Sequence, residues 1–348
     1  MINLLKHKIG TKYKPFIVAE MSGNHNGSLK RALMIVKKAA ECGVNAIKLQ
    51  TYTPDTMTFK SNKKDFLVTS KKSIWHGKNL YDLYKIAQTP WEWHERIFNE
   101  AKKYGLVYFS TPFDETSIKF LQKFKVPIFK IASPENTDLR LVKLLAKTGK
   151  PIIISLGMAT LKEIKKTVHV AKSNGCKKII LLKCTTAYPA DSRESNLASI
   201  SLLRKKFNCE IGFSDHTLGI GASVAAVSLG ASVIEKHFTL DKKEGGVDEK
   251  FSLDPDEMKT LVIETNNAWK SIGKIKLGPS KSEKINLKFR RSIYVVKNVK
   301  IGEKLNKSNI KCIRPGFGLA TQYFDSILNR SFKKNIKSGT ALKRHMFK

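Results

Sequence analysis

Two histidines lie where they could share a metal ion. His216 follows the apolar run 210–214, and His237 ends the next apolar run, 232–237. Consecutive runs of this kind are typical of neighbouring parallel strands, whose carboxyl ends meet at one edge. Imidazole binds manganese, cobalt, iron, nickel and zinc, and open coordination positions can take water or a substrate oxygen. We therefore predict a divalent metal held by the two imidazoles; the alternative is that each is a hydrogen-bonded core histidine.

Lysine and hydroxyl side chains form a second group at the predicted strand ends. Lys48 and Lys130 would supply positive charge, and hydroxyl donors would come from Ser133, Ser155 and Ser214. This combination suits a small phosphorylated carboxylate. The alternative is that the serines only cap the helices that follow them. Both roles are compatible, because a helix N-terminus itself favours anions.

The elements that must position these groups are eight short apolar runs that alternate with amphipathic helical stretches. The runs are 15–20, 45–50, 106–110, 127–132, 151–155, 178–183, 210–214 and 232–237. Apolar residues throughout a run suit a strand that is buried on both faces. The alternation predicts a (β/α)8 barrel, with a doubly wound open sheet as the alternative. In a barrel the strand ends face one pocket, and further polar residues at these ends are Glu20, Gln50, Ser110, Glu135, Lys183, Thr185, Thr186, Asp215, Glu235 and Lys236.

Two segments depart from the alternating pattern. Residues 51–89 are too long for a simple loop between strand and helix, and insertions at the top of a barrel usually serve function. Residues 290–348 contain short strands and turns instead of the barrel pattern. We predict a barrel domain at 1–275, a linker at 276–289 and a small cap domain at 290–348. A core of that size is marginal alone, so the cap is expected to need a partner surface.

Composition limits the classes of protein that remain. The formal net charge is +35, but the lysines are scattered along the chain, so we predict a solvated basic surface without nucleic-acid binding. No apolar stretch reaches the length of a membrane span, and the N-terminus lacks a signal-peptide pattern. The five cysteines contain no CxxC pair, which favours a reducing, cytoplasmic location. GxSxG, HExxH and P-loop motifs are absent from the sequence, which disfavours serine hydrolases, zincins and P-loop enzymes.

Several blocks, in this order along the chain, resemble the sialic acid synthase family. They are VAEMSGNHNGSL, AIKLQTYTPDTMT, STPFD, KIASPEN, KCTTAYP, GFSDHTLG, EKHFTLD and DEKFSLDP. Near the C-terminus, RRSIY, IRPGFG and IKSGTAL resemble the antifreeze-like (SAF) domain of that family. Within the family, TYTPDTMT, LYDLYKIAQTPWEWH and KIASPEN are most similar to the pseudaminate branch. The N-acetylneuraminate and legionaminate branches fit less well and remain the alternatives.

The resemblance implies a reaction in which phosphoenolpyruvate, water and an N-acetylated amino-sugar aldehyde give a nonulosonic acid and phosphate. For the pseudaminate branch the sugar is 2,4-diacetamido-2,4,6-trideoxy-L-altrose. The resemblance also implies a divalent metal, Mn2+ or alternatively Mg2+ or Co2+, and a homodimer in which each cap domain acts on the partner's barrel.

The roles that the resemblance implies for single residues agree with those read from residue type. His216 and His237 match metal ligands. The phosphoenolpyruvate-binding group matches Lys48, Lys130, Ser133, Ser155 and Ser214, with Thr186 where some relatives have Asn. Asp248 matches an acid proposed to activate water, a step that the metal could perform instead. Arg314 matches an arginine that reaches the sugar from the partner's cap, and the residues that match the rim of the site are Glu20, Gln50, Glu135 and Tyr188.

Two other functions are compatible with the residue types. A lysine of lowered pKa at a strand end could form a Schiff base, as in an aldolase that uses pyruvate. The candidates for that role are Lys48, Lys130, Lys183 and Lys236. A basic binding protein without catalysis is the second alternative, and the many polar strand ends disfavour it.

Overall fold

Eight parallel strands form the centre of the protein, and each falls on one of the runs predicted from the sequence. Their bounds are β1 Phe16–Glu20, β2 Ala46–Thr51, β3 Val107–Pro112, β4 Phe129–Ile131, β5 Ile152–Ser155, β6 Ile179–Cys184, β7 Glu210–Asp215 and β8 Val233–His237. Their order is β3-β2-β1-β8-β7-β6-β5-β4, and β3 and β4 contact each other at the seam. The ring confirms the (β/α)8 fold class as a nearly closed barrel and rules out the doubly wound sheet, whose strand order reverses at a switch point.

The computed structural model describes residues 1–71 and 73–348, which divide into the units Met1–Gly273 and Lys274–Lys348. Helices follow the barrel strands, and several begin at a side-chain cap, as where Thr160 and Glu163 form a capping box. The α-helices of the first unit are Leu29–Glu41, Pro54–Met57, Leu80–Ala87, His94–Lys103, Glu115–Gln122, Leu139–Lys147, Leu161–Ser173, Ser199–Phe207, Gly221–Ser228 and Pro255–Ile272. Short 3-10 helices lie at Lys64–Phe66, Trp91–Trp93, Pro134–Thr137, Ser192–Glu194 and Glu249–Phe251.

Side chains on the barrel strands alternate between the interior and the surrounding helices, because successive residues of a strand face opposite sides. Toward the amino ends the interior is apolar, and the hairpin formed by Ile2–Leu4 and His7–Ile9 packs its apolar residues into it. This interior cluster comprises Ile2, Leu4, Ile9, Phe16, Val18, Ala46, Val107, Phe109, Ile128, Ile153, Ile180, Leu182 and Val233. At the carboxyl ends the same alternation places buried polar residues inside, where the candidate site lies.

Four of the polar strand-end residues point out of the barrel instead, namely Ser110, Lys183, Asp215 and Lys236. Lys236 and Asp215 form a fully buried ion pair on neighbouring strands, with Nζ and Oδ2 3.1 Å apart. Asp215 also accepts hydrogen bonds from Ser223 Oγ at 2.7 Å and from the Thr217 N–H at 2.8 Å. Lys183 also faces outward, because the residues before and after it in the strand face inward. Its Nζ donates to Cys184 O at 3.1 Å. Two of the four Schiff-base candidates therefore point out of the barrel, and the other two, Lys48 and Lys130, lie inside it.

The long insertion after β2 folds over the carboxyl ends of the strands. Its helix Leu80–Ala87 contributes Tyr84, whose ring meets that of Tyr52 edge-on at 5.7 Å between centroids. The Trp75 indole N–H donates to Val247 O at 3.0 Å and so ties the insertion to the loop that follows β8. The predicted placement of this segment at the top of the barrel is therefore what the structure shows.

The second unit is a small β domain with its own apolar core. Strand Ser292–Val295 pairs antiparallel with Ile310–Ile313, Leu319–Ala320 and Thr340–Ala341. Its 3-10 helices are Glu283–Phe289, Thr321–Tyr323, Asp325–Ile327 and Arg344–Met346. The core comprises Ile293, Val295, Val299, Leu305, Ile310, Ile327, Phe332, Ile336, Leu342 and Phe347. Across residues 1–71 and 73–348, no helix has the length and apolar character needed to cross a membrane.

We expect Asp215→Ala to lower the free energy of unfolding by about 3–5 kcal/mol, because it leaves the Lys236 ammonium buried without its partner. Urea unfolding followed by circular dichroism measures this change. As a control, Lys38→Ala removes an exposed ion pair with Glu41 and should leave the unfolding midpoint unchanged. Equal midpoints for the two variants would contradict a structural role for the buried pair.

Candidate active site

Four charged side chains are buried together inside the barrel. Lys48 forms an ion pair with Glu20, and its Nζ lies 3.8 Å from Glu235 Oε1. Lys130 Nζ lies 3.2 Å from the same Glu235 oxygen. Buried charges are costly unless they are paired, so each lysine is held in place by a carboxylate. Two ammonium groups, from β2 and β4, thus lie beside the same carboxylate inside the barrel.

The pKa values of this cluster show which charges are compensated. Burial would lower the pKa of Lys48, but Glu20 and Glu235 outweigh it and raise that pKa. For Lys130 burial prevails over the attraction of Glu235, and the pKa is lowered. Burial also raises the pKa of Glu20, against the opposing effect of Lys48. Lys130 is therefore incompletely compensated, which favours the binding of a further anion beside it.

Hydroxyl groups surround Gly157 next to these lysines. The Gly157 N–H donates to Ser133 Oγ at 3.0 Å, and Asn136 Nδ2 holds this loop by donating to Ser155 O at 3.1 Å. A Cβ on Gly157 would overlap Thr186 Oγ1 and would lie 2.7 Å from Ser133 Oγ. Within the described part of the chain, the buried hydroxyls of Ser155 and Thr186 have no hydrogen-bond partner. Such groups normally find a partner, and a phosphate or carboxylate oxygen would supply one.

The two histidines predicted to hold a metal lie side by side at the ends of β7 and β8. Their ring centroids are 5.5 Å apart. Imidazoles that share one ion at about 2.1 Å from each nitrogen place their centroids on the order of 5 Å apart. His216 Nδ1 lies 2.9 Å from Thr185 O, which orients the ring and leaves Nε2 available. His237 Nδ1 is buried, 3.7 Å from Asp248 Oδ2, and has no hydrogen-bond partner among the described residues.

The charge state of His237 also suits a metal ligand. Burial, reinforced by His216 and nearby lysines, holds its pKa well below the usual range, so the imidazole is neutral. A neutral ring is the form that coordinates metals. The residues described by the structure contain no group of three or more His, Cys, Asp or Glu side chains arranged for a metal. A metal held by the two imidazoles would take its other ligands from substrate oxygens and water.

Acidic and phenolic side chains line a cavity of about 310 Å³ above this layer. Burial raises the pKa of Glu135 to about 7. Burial also raises the pKa of Asp248, although the Ser22 hydroxyl and the Gly23 N–H oppose that shift. The Tyr188 ring lies 4.5 Å from the His216 ring, and burial raises the pKa of its hydroxyl. The cavity therefore places groups that can exchange protons close enough to the histidines for one substrate to contact both.

The structure brings the predicted site residues of the first unit together. Gln50 Nε2 donates to Glu20 Oε1 at 3.3 Å, and Ser214 Oγ donates to Glu235 Oε1 at 3.0 Å. Arg314 lies in the second unit, directly after strand Ile310–Ile313 and exposed, and its role at the site stays a prediction.

Thr111, Phe251 and Trp75 are among the residues of the site that sequence reasoning missed. Lys48 Nζ donates to Thr111 Oγ1 at 3.3 Å, and the Phe251 ring lies 4.8 Å from that of His237. Trp75 lines the cavity from the insertion. Strand alternation could have identified Thr111, since it follows the inward-facing Phe109 by two residues. No local signal marks Phe251, which ends the short 3-10 helix Glu249–Phe251, or Trp75, which lies in the insertion.

Comparison with known proteins gives this site its context. The NeuB family profile matches residues 35–276, and the SAF domain profile matches residues 290–348. The chain belongs to the NeuB family. The resemblance seen in the sequence motifs is thereby confirmed for both parts of the chain.

Individual relatives extend over almost the whole chain. A pseudaminic acid synthase from Campylobacter jejuni is 44% identical over 338 residues, which cover 97% of this chain and 98% of that protein. An N,N'-diacetyllegionaminic acid synthase from Campylobacter jejuni is 37% identical, covering 93% of this chain and 97% of that protein. Among solved structures, an N-acetylneuraminic acid synthetase from Leptospira borgpetersenii matches with a TM-score of 0.73 and 34% identity, covering 83% of this chain and 95% of that one.

We expect Gly157→Ala to weaken the binding of phosphoenolpyruvate by at least about tenfold, because the added methyl group displaces the Thr186 and Ser133 hydroxyls. Isothermal titration calorimetry measures the affinity. Gly221→Ala is the matched control, since a Cβ at Gly221 meets nothing within 4 Å. If both variants bind phosphoenolpyruvate like the unmodified protein, the hydroxyl group around Gly157 is not an anion site.

Proposed function

We propose that this protein is a pseudaminic acid synthase. It would condense phosphoenolpyruvate with 2,4-diacetamido-2,4,6-trideoxy-L-altrose and water to give pseudaminic acid and phosphate. The observation that carries the proposal is the placement of two buried lysines, a group of free hydroxyls and a histidine pair around one end of a barrel. The similarity to a pseudaminic acid synthase, 44% against 37% for a legionaminic acid synthase, favours this sugar over the alternatives.

Phosphoenolpyruvate binds in the charged layer of the barrel. Lys48 and Lys130 neutralise its negative charge, and the hydroxyls of Ser133, Ser155 and Thr186 donate to its oxygens. Ser214 belongs to the same layer and helps to hold Glu235. These contacts fix the position of C3, the carbon that forms the new bond, which lowers the entropic part of the barrier.

The acceptor aldehyde binds above that layer, next to the histidine pair. His216 and His237 would hold a divalent metal, for which Mn2+ is proposed ahead of Mg2+ or Co2+. When bound, such an ion acts as a Lewis acid that polarises the aldehyde carbonyl. The C2–C3 π electrons of phosphoenolpyruvate form the bond to the aldehyde carbon, the C=O π pair moves to the aldehyde oxygen, which takes up a proton, and positive charge develops at C2.

Two carboxyl groups act on the second half of the reaction. Glu135, in its ionised form, stabilises the positive charge at C2 because its carboxylate lines the cavity there. Asp248 accepts a proton from the water that adds to C2. In the tetrahedral intermediate the bond between C2 and the phosphate oxygen then breaks, the C2 hydroxyl gives up its proton as the C2 carbonyl forms, and phosphate leaves. Tyr188, Gln50 and Glu20 position the substrates at the rim.

The assembly and location of the enzyme belong to the same proposal. By resemblance to the family, the protein forms a homodimer in which Arg314 of each cap domain reaches the sugar in the partner's barrel. All five cysteines are free in the structure, which supports a reducing compartment such as the cytoplasm.

The direct test is phosphate release from phosphoenolpyruvate in the presence of each candidate sugar. We expect release with the diacetamido-trideoxy altrose, loss of activity after EDTA treatment and recovery when Mn2+ is added. His237→Gln removes one proposed ligand, and the recovery should then require at least about tenfold more Mn2+, read independently as weaker Mn2+ binding by calorimetry.

Each other outcome of this assay points to a different function. A preference for N-acetylmannosamine would identify an N-acetylneuraminate synthase, and a preference for the legionaminate precursor would identify that branch. Trapping of a substrate carbonyl by borohydride, without any need for metal, would indicate a Schiff-base aldolase. Salt-dependent DNA binding without turnover would indicate the basic binding protein.

Mixing two inactive variants tests the action of the cap in trans. Glu135→Gln disables the barrel, and Arg314→Ala disables the cap. If the cap serves the partner's barrel, subunit exchange should restore about a quarter of normal activity, because each mixed dimer then contains one intact site. The separate variants, incubated under the same exchange conditions, are the controls. No recovery, with exchange verified by mass spectrometry, would show that each cap serves its own barrel.

A further inference from the structure

The cavity above the charged layer has two chemically different sides. Residues from the barrel and its loops give a polar side, formed by Ser22, Gln50, Glu135, Thr186, His237 and Asp248. The other side, formed mainly by the insertion, is apolar apart from the Tyr84 hydroxyl. We call this side the apolar wall, and it consists of Met57, Val68, Trp75, Leu80, Leu83 and Phe113. A ligand that fills the cavity therefore meets hydrogen-bonding groups at one end and carbon at the other.

Aromatic rings connect the histidines to Trp75 on the apolar wall. The Tyr188 ring lies 4.5 Å from the His216 ring and 5.5 Å from the Trp75 ring, measured between centroids. Phe251 forms a second connection, 4.8 Å from His237 and 6.4 Å from Trp75. One aromatic ring, Tyr188 in one case and Phe251 in the other, therefore lies between a histidine ring and Trp75 of the apolar wall. A hexose whose aldehyde carbon lies beside the histidines therefore reaches the wall with its opposite end.

The wall offers this end of the sugar few hydrogen bonds. The one N–H of Trp75 is already donated to Val247 O, so the residue presents its ring face and edges to the cavity. Leu80 and Leu83 belong to helix Leu80–Ala87, whose position is set by the contact between Tyr84 and Tyr52. The wall is thus built on a helix anchored to the barrel, which makes it a defined surface for a ligand.

We propose that the apolar wall receives the C6 methyl group of the acceptor and selects a 6-deoxy amino-sugar over one that carries a hydroxymethyl group at C6. The inference rests on the proposed function, because it takes the aldehyde end of the sugar to lie at the histidine pair. C6 is the carbon farthest from the aldehyde, so it is the carbon that meets the wall. Selection comes from desolvation, since a hydroxyl placed against these side chains loses its water without gaining a partner.

Apolar pockets reject an added hydroxyl only moderately. We therefore expect the kcat/KM for 2,4-diacetamido-2,4,6-trideoxy-L-altrose to exceed that for its 6-hydroxy analogue by about 10–100-fold. The two sugars differ only at C6, so the ratio reports on this contact and not on the acetamido groups.

The test is to give the wall a polar group and to measure that ratio by phosphate release. Leu83→Asn keeps nearly the same side-chain size and supplies an amide that can pair with a C6 hydroxyl. Val68→Thr changes a methyl group to a hydroxyl with almost no change of shape and serves if Leu83→Asn unfolds. We expect either variant to lower the ratio by at least about fivefold, mainly through better use of the 6-hydroxy sugar.

Ile86→Asn is the matched control, because Ile86 lies on the same helix, is 59% exposed and does not line this cavity. It should leave the ratio unchanged. An unmodified enzyme that uses both sugars equally, or a ratio that stays the same in folded Leu83→Asn and Val68→Thr, would overturn the inference while leaving the proposed function intact. Absence of phosphate release with either sugar in the unmodified enzyme would instead refute the proposed function.

Discussion

The burial of Lys48 and Lys130 inside the barrel is the interaction on which the rest of the site depends. An ammonium group in an apolar interior is costly, and here Glu20 and Glu235 compensate it from neighbouring strands. The compensation is uneven, since the pKa of Lys130 remains lowered by its burial. A ligand that enters this layer is therefore stabilised when it carries negative charge. The same pairs also connect the strands on which they lie, so the feature that binds the anion helps to hold the barrel end in shape.

A second buried pair, on the outer face of the barrel, complements the inner one. Asp215 and Lys236 directly precede His216 and His237 along the chain, and strand alternation turns them to the opposite side. Their ion pair joins the ends of β7 and β8 from outside, while the two imidazoles project inward with their ring centroids 5.5 Å apart. The spacing of the histidines is thus determined by backbone positions that are fixed on both faces. A pair of loop histidines would have no such constraint.

Most of the fold and the inner layer of the site could be predicted from the sequence, because both follow from local patterns. Each apolar run forms a strand. The polar residue at its end lies near the pocket when its side chain falls on the same face of the strand as the apolar residues of the barrel interior. Lys183, Asp215 and Lys236 also lie at the ends of their runs, but strand alternation turns their side chains out of the barrel, away from the pocket predicted for them. The contact between Trp75 and Val247 is of another kind, since it joins residues 172 positions apart in loops without periodicity. Such contacts depend on the complete tertiary structure, and no spacing in the sequence specifies them.

The two sides of the cavity differ in how freely their residues can be substituted. The charged layer is restricted by its own pairing, because altering one of its members leaves another buried charge uncompensated. The insertion has no such restriction, since the cavity side chains that it contributes include Leu80 and Leu83, and its helix packs through the ring contact between Tyr84 and Tyr52. A barrel that keeps its phosphoenolpyruvate layer can therefore accept a different sugar when the loop above it changes. Chemistry common to a family would then reside in the strands, and the choice of acceptor in the segment between β2 and β3.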